Sequence, residues 1–135
     1  MSLIKWRNSF STGIERFDND HKKILNLIAT LYNSIYVKKN KWVTEEALKE
    51  LVAYTGYHFT NEEEHMKLHD YPEYAEHKKE HDELTVRVKK LQTEFISTDK
   101  DMSREIYALL REWFQHHILE VDLKYGPFFK KAGMS

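Results

Sequence analysis

The residues Tyr74, His77, His81, Leu84, Val88, Leu91 and Phe95 are spaced alternately by three and four, the repeat of a single α-helical seam turned toward a core. Two of these positions carry imidazole where leucine or valine would pack. Three other segments repeat the arrangement. Residues 18–37 carry Ile24, Leu25, Ile28, Leu31 and Ile35, with His21 on the same stripe. Residues 44–66 carry Leu48, Leu51, Val52, Phe59 and Met66, interrupted by His58 and Glu62. Residues 99–125 carry Met102, Ile106, Leu110, Trp113 and Val121, with His117 on the stripe and Asp122 beside it. With 72–95 these make four helices of similar length joined by short polar links. The pattern predicts an all-α fold, an up-down-up-down four-helix bundle in one domain over 1–135. Only 4 glycines and 2 prolines punctuate the chain, which disfavours a turn-rich β fold.

An N-terminal arm, residues 1–17, precedes the bundle. Ile4, Trp6, Phe10, Ile14 and Phe17 make it too apolar for a solvated tail, so it is expected to pack on the helices, with Ser11 and Gly13 breaking any regular helix. Asp18, Thr44 and Asp99 are expected as N-caps, Pro72 as a first-turn residue, and Gly126-Pro127 as the stop of the fourth helix. Gly56 costs its helix about 1 kcal/mol against alanine and is expected to admit a close neighbour.

Composition excludes several chemistries. There is no cysteine, hence no disulfide, no thiolate zinc site and no cysteine-ligated iron–sulfur cluster. A formal charge of −1 leaves no basic excess for nucleic acid. No apolar run approaches the roughly 20 residues that span a bilayer. Met1 to Trp6 lacks a signal-peptide pattern, so a cytoplasmic location is expected.

The inward faces thus collect five imidazoles and two carboxylates. A single histidine on an apolar face is more often a hydrogen-bonded core residue than a ligand, and a lone His–Glu pair four apart is usually a surface pair. All four helices carrying such groups at similar depth is a different matter. Buried carboxylates are costly unless paired or bound to a cation. The pairs His58–Glu62 and His77–His81 are four apart, a net turn of about 40°, and point the same way. His117 and Asp122 are five apart, about 140° on a regular helix, so a local irregularity such as a π-bulge is expected between them. A set of nitrogen and oxygen donors suits iron, with manganese or cobalt also compatible, and it exceeds what one ion accepts. His65, His69 and His116 lie off the inward faces and are not assigned to metal.

The order H, H-x3-E, H-x3-H, H-x4-D stands here as His21, His58…Glu62, His77…His81 and His117…Asp122. Around it stand Asp18-Asn19-Asp20-His21-Lys22, Tyr71-Pro72 before His77, and Trp113 four residues before His117. In this the whole chain resembles the hemerythrin family in its single-domain bacterial form. The resemblance implies two iron ions bridged by Glu62, Asp122 and an oxo or hydroxo group. It implies that His77, His81 and His117 bind one iron and His21 and His58 the other, leaving the second with an open position. It further implies reversible dioxygen binding for storage, transport or sensing, and no enzymatic turnover; it leaves open both an oxygen-accepting enzyme as partner and the oligomeric state. Many relatives have leucine after the tryptophan where this chain has Phe114, which bears on oxygen affinity. The competing reading is a di-iron enzyme, a ferroxidase, peroxidase or nitric-oxide-handling protein. Against it, only Glu62…His65 has the Glu-x-x-His spacing of carboxylate-rich sites. A closed structural metal site is the third reading.

Overall fold

The structure, a computed structural model, describes residues 4–98 and 101–135. Its helices are α1 (Glu15–Asn33), α2 (Lys41–Leu68), α3 (Tyr74–Ser97), α4 (Ser103–Trp113) and a short α5 (Tyr125–Lys131). Between α4 and α5 the chain stays helical through a π-helical segment, Phe114–Val121, and a 3-10 turn, Asp122–Lys124. The long helices pack α1 on α2, α2 on α3 and α3 on α4, and α4 closes back on α1. This is the up-down-up-down bundle.

Each helix buries most of the stripe that its sequence announces, with Ile35, Val52, Leu91, Met102 and Val121 only partly covered. On α1 the buried face is Phe17, Asp20, His21, Ile24, Leu25, Leu27, Ile28 and Leu31. These side chains join α2, α3 and α4 in a large apolar cluster that includes Leu48, Leu51, Phe59, Leu84, Phe95, Trp113, Phe114 and Ile118. Ile4 and Trp6 of the arm pack against it. A smaller cluster, Ile14, Phe17, Met66, Tyr71, Tyr125 and Phe129, joins the arm to α5.

The ends of the helices depart from the expected caps. α1 begins at Glu15, before Asp18, and the Asp18 carboxylate reaches backward instead: it accepts from the Thr12 backbone N–H at 2.7 Å and the Thr12 hydroxyl at 2.8 Å. Asp18 therefore ties the arm to the first turn. α2 begins at Lys41, where Asn40 Oδ1 accepts from Val43 N–H at 3.2 Å; Asn40, not Thr44, is the cap. Thr44 is buried one turn inside, its hydroxyl 3.0 Å from Ser34 Oγ. α2 ends on a Schellman turn, with Tyr71 N–H bonded to Met66 O at 2.9 Å, Asp70 N–H to Lys67 O at 3.3 Å, and Asp70 in the left-handed region at φ 54°. Pro72 belongs to the link that follows, and α3 starts at Tyr74. The expected cap Asp99 lies outside the described residues; α4 starts at Ser103, whose N–H bonds Asp101 Oδ1 at 3.0 Å.

Two glycines behave otherwise than expected. Gly126-Pro127 does not stop the helical path: both fall in the first turn of α5, where the fixed φ of proline suits a helix. Gly126 is instead a contact point: a Cβ there would come within 2.1 Å of the Thr12 carbonyl oxygen. At Gly56, apart from the local backbone of its own helix, no atom of the described residues lies within 4 Å of where a Cβ would be, so it admits no close neighbour.

Candidate metal centre

His21 comes from α1, His58 and Glu62 from α2, His77 and His81 from α3, His117 and Asp122 from the stretch after α4. All seven are buried, none more than 3 % exposed. Asp122 reaches the interior because the helix ahead of it is π-helical. Its N–H bonds the carbonyl of His117, five residues back, and residues so linked share a face. The five-residue spacing required such an irregularity.

The donor atoms form two groups, each held within 4.8 Å: Glu62, His77, His81, His117 and Asp122 in one; His21, His58, Glu62 and Asp122 in the other. The two carboxylates belong to both. Asp122 Oδ1 lies 2.9 Å from His77 Nε2 and 3.0 Å from His117 Nε2, while Oδ2 lies 3.0 Å from His21 Nε2. Glu62 Oε2 lies 3.1 Å from His58 Nε2 and Oε1 lies 3.3 Å from His81 Nε2. Each carboxylate therefore turns one oxygen to the three-histidine half and one to the two-histidine half.

These approaches are the geometry of convergence on common points. Glu62 Oε1, both Asp122 oxygens and His77 Nε2 are buried with no hydrogen-bond partner among the described residues, although neighbours lie near. Nε2 atoms also face each other, His21 to His58 at 3.1 Å and His81 to His117 at 2.9 Å. Two ligands at right angles on an ion, each at about 2.1 Å, are about 3.0 Å apart. Lone pairs aimed inward at that spacing fit cations, and the all-imidazole and carboxylate donor set fits iron.

The far side of the imidazoles prepares them for this. His58 Nδ1 lies 2.9 Å from Asp20 Oδ2, His81 Nδ1 2.8 Å from Glu63 Oε2, and His117 Nδ1 3.3 Å from Glu80 Oε1. Tyr54 donates to the other Asp20 oxygen at 2.7 Å. A carboxylate at Nδ1 fixes the proton there and leaves the Nε2 lone pair free. Aromatic rings hold the planes: Phe59 stacks on His81 at 3.7 Å and 6°, and Trp113 on His117 at 5.8 Å and 14°. Phe17 meets His58 edge-on from the smaller cluster, so apolar residues flank the layer on both sides.

Without metal, protons take its place. Burial works against charge on His58, yet the Glu62 and Asp20 carboxylates outweigh it and push its pKa up to about 10. His77 is likewise raised to about 10 against burial, by Asp122 and Glu62. Burial would raise Glu62, but the surrounding imidazoles hold it well below the usual carboxylate range. Asp122 is depressed in the same way, chiefly by His117 and His21, against burial and the Glu62 charge. The cavity is built to hold positive charge.

The family model for the hemerythrin HHE cation-binding domain matches residues 12–129. The chain belongs to the hemerythrin family. A bacteriohemerythrin of Methylococcus capsulatus is 30% identical over 128 residues, covering 94% of this chain and 97% of its own. The hemerythrin of Themiste dyscrita is 35% identical over 120 residues, covering 89% and 88%. A crystal structure of wild-type hemerythrin superimposes with a TM-score of 0.86 at 30% identity, covering 93% of this chain and 97% of that one.

In this hemerythrin chain His65, His69 and His116 join neither donor group. His65 bonds the Asn61 carbonyl at 2.8 Å, His69 lies edge-on to Phe129, and His116 is exposed beside Glu120. Four residues around the site went unassigned from sequence: Asp20, Glu63, Glu80 and Tyr125. Tyr125 is fully buried and donates its phenolic proton to Glu62 Oε2. Of the apolar residues near the ligands, Phe59 and Trp113 border a cavity of about 260 Å³ between α2, α3 and α4. Ile24, Leu25 and Phe114 are buried in the main cluster. No helix among the described residues is long and apolar enough to cross a membrane.

Proposed function

We propose that this chain binds dioxygen reversibly at a non-haem pair of iron ions, held by His21, His58, Glu62, His77, His81, His117 and Asp122. The observation that carries the reading is the unequal sharing of donors: three imidazoles on one side, two on the other, and the same two carboxylates between them. The chain offers five donors to one position and four to the other, so an iron ion in the second would keep one more site open to an outside ligand than an ion in the first. The chemistry such a pair supplies when bound is reversible two-electron transfer to dioxygen.

The chain's own part is to orient and to seal. Asp20, Glu63 and Glu80 hold protons at Nδ1 of His58, His81 and His117, so each ring presents Nε2 as a neutral donor. Glu62 and Asp122 bring the two negative charges that compensate the cations and couple the halves. Among the described residues the acids at the two-histidine half are Glu62, Asp122 and, behind His58, Asp20; Tyr125 keeps its proton, because burial and the Glu62 charge raise its pKa well above the ordinary phenol value. Apolar packing on both sides of the layer excludes water, which favours release of dioxygen over oxidation of the site. Storage, transport and sensing all require this same equilibrium, and an oxygen-accepting enzyme is the natural recipient.

The test is an oxygen cycle. Iron-loaded protein, reduced without air, is exposed to air and then purged. Absorption that appears with air and disappears on purging is the expected result. Permanent oxidation in the first cycle, with turnover of added peroxide or nitric oxide, supports the enzyme reading instead.

A further inference from the structure

Four carboxylate oxygens face the two donor groups, and they are not equivalent. Asp122 Oδ1, Asp122 Oδ2 and Glu62 Oε1 have no hydrogen-bond partner among the described residues. Glu62 Oε2 alone receives one, from the buried phenol of Tyr125. That oxygen is the one turned to the two-histidine half, 3.1 Å from His58 Nε2 and 3.6 Å from His21 Nε2. We infer that Tyr125 is a positioning residue that fixes Glu62 as a bridge and so sets the metal affinity of the two-histidine position selectively.

The backbone places the phenol with care. The 3-10 turn Asp122–Lys124 repeats every three residues, so Tyr125 comes around onto the side of Asp122. Its ring is held by Phe17 at 5.2 Å and Phe129 at 5.1 Å, with His77 at 5.9 Å. The next residue, Gly126, lies so close to the Thr12 carbonyl that no side chain fits. The arm thus presses α5 into the register that brings the Tyr125 hydroxyl to Glu62. Glu62 has more rotatable bonds than Asp122, which is fixed by its short side chain, so Glu62 is the bridge that needs holding. When the phenol is gone, Oε2 can swing away from the two-histidine half. The three-histidine half keeps its imidazoles and Asp122 Oδ1 and changes little.

This inference rests on the two-metal reading, and the experiment separates the two. The full chain loaded with cobalt(II) is titrated with a chelator, and bound metal is followed by visible absorption and elemental analysis. Wild type is expected to hold two ions and release them in two steps, the two-histidine position first. In Tyr125→Phe the first step shifts to about 10–100-fold weaker binding, the usual effect of removing an outer-shell partner, while the second moves less than about threefold. Phe129→Leu, which loosens the same aromatic cluster and removes no donor, serves as the packing control and keeps the wild-type separation of steps. Unchanged steps in Tyr125→Phe, equal weakening of both, or the same shift in Phe129→Leu overturns the role of Tyr125 while leaving the two-metal site standing. Fewer than two ions in wild type overturns both.

Discussion

His58 and His77 each carry, in metal-free protein, a pKa raised to about 10. Their unfolded value is near 6.5, so their protons stabilise the metal-free fold fully below about pH 6.5, and that contribution is lost as pH rises toward 10. The melting temperature of metal-free protein should therefore fall steadily between pH 7 and 10, whereas the iron-loaded form, whose Nε2 atoms hold metal, should stay nearly level. A flat profile for the metal-free form would show that these imidazoles are neutral and the carboxylates compensated otherwise. Six of the seven inward groups were legible in sequence because each interrupts an apolar stripe at helical spacing; Asp122, beside its stripe, was legible only through the H-x4-D spacing and the irregular helix which that spacing required. Asp20, Glu63 and Glu80 were not, since they are three among 22 acidic residues and sit at the margin of the buried face. A ligating imidazole usually has an acceptor at Nδ1, as His58, His81 and His117 do, whereas His21 Nδ1 is buried without one among the described residues. Which acid supplies it depends on the helix across the interface, and spacing within one helix carries no such information. Tyr125 was hidden by its place next to Gly126-Pro127, read as the end of the helix.

Among the elements, the stretch from α4 to α5 does most to shape the site. The five-residue step from His117 to Asp122 demanded an irregular helix, and the π-helical segment supplies it. Its continuation was misjudged because glycine and proline ordinarily stop helices; here proline falls in the first turn of α5 and glycine makes room for the arm. Gly126→Ala is expected to destabilise the protein by about 2 kcal/mol, the scale of an overpacked contact that only backbone movement relieves. Denaturant melts would read this directly. An unchanged midpoint would mean that the arm yields freely at Thr12. Helix starts were less legible than helix faces for a related reason: Asp18 and Thr44 have the chemistry of caps, but each found a tertiary partner, Thr12 and Ser34, that outweighed the local preference.

At the scale of the whole molecule, the bundle is a device for placing seven polar groups at one depth. The apolar clusters on either side stabilise the fold, and the layer between them is tolerated only with compensating positive charge, because buried carboxylates are costly when unpaired. Family membership, the fold and the donor set all point to that cation as iron. The claim on which everything else depends is that both donor groups fill together, with Glu62 and Asp122 shared between them. Iron per chain, measured by elemental analysis on protein loaded and handled without air, tests it most directly. Two iron ions per chain are expected; a reproducible value of one would contradict a shared pair of carboxylates.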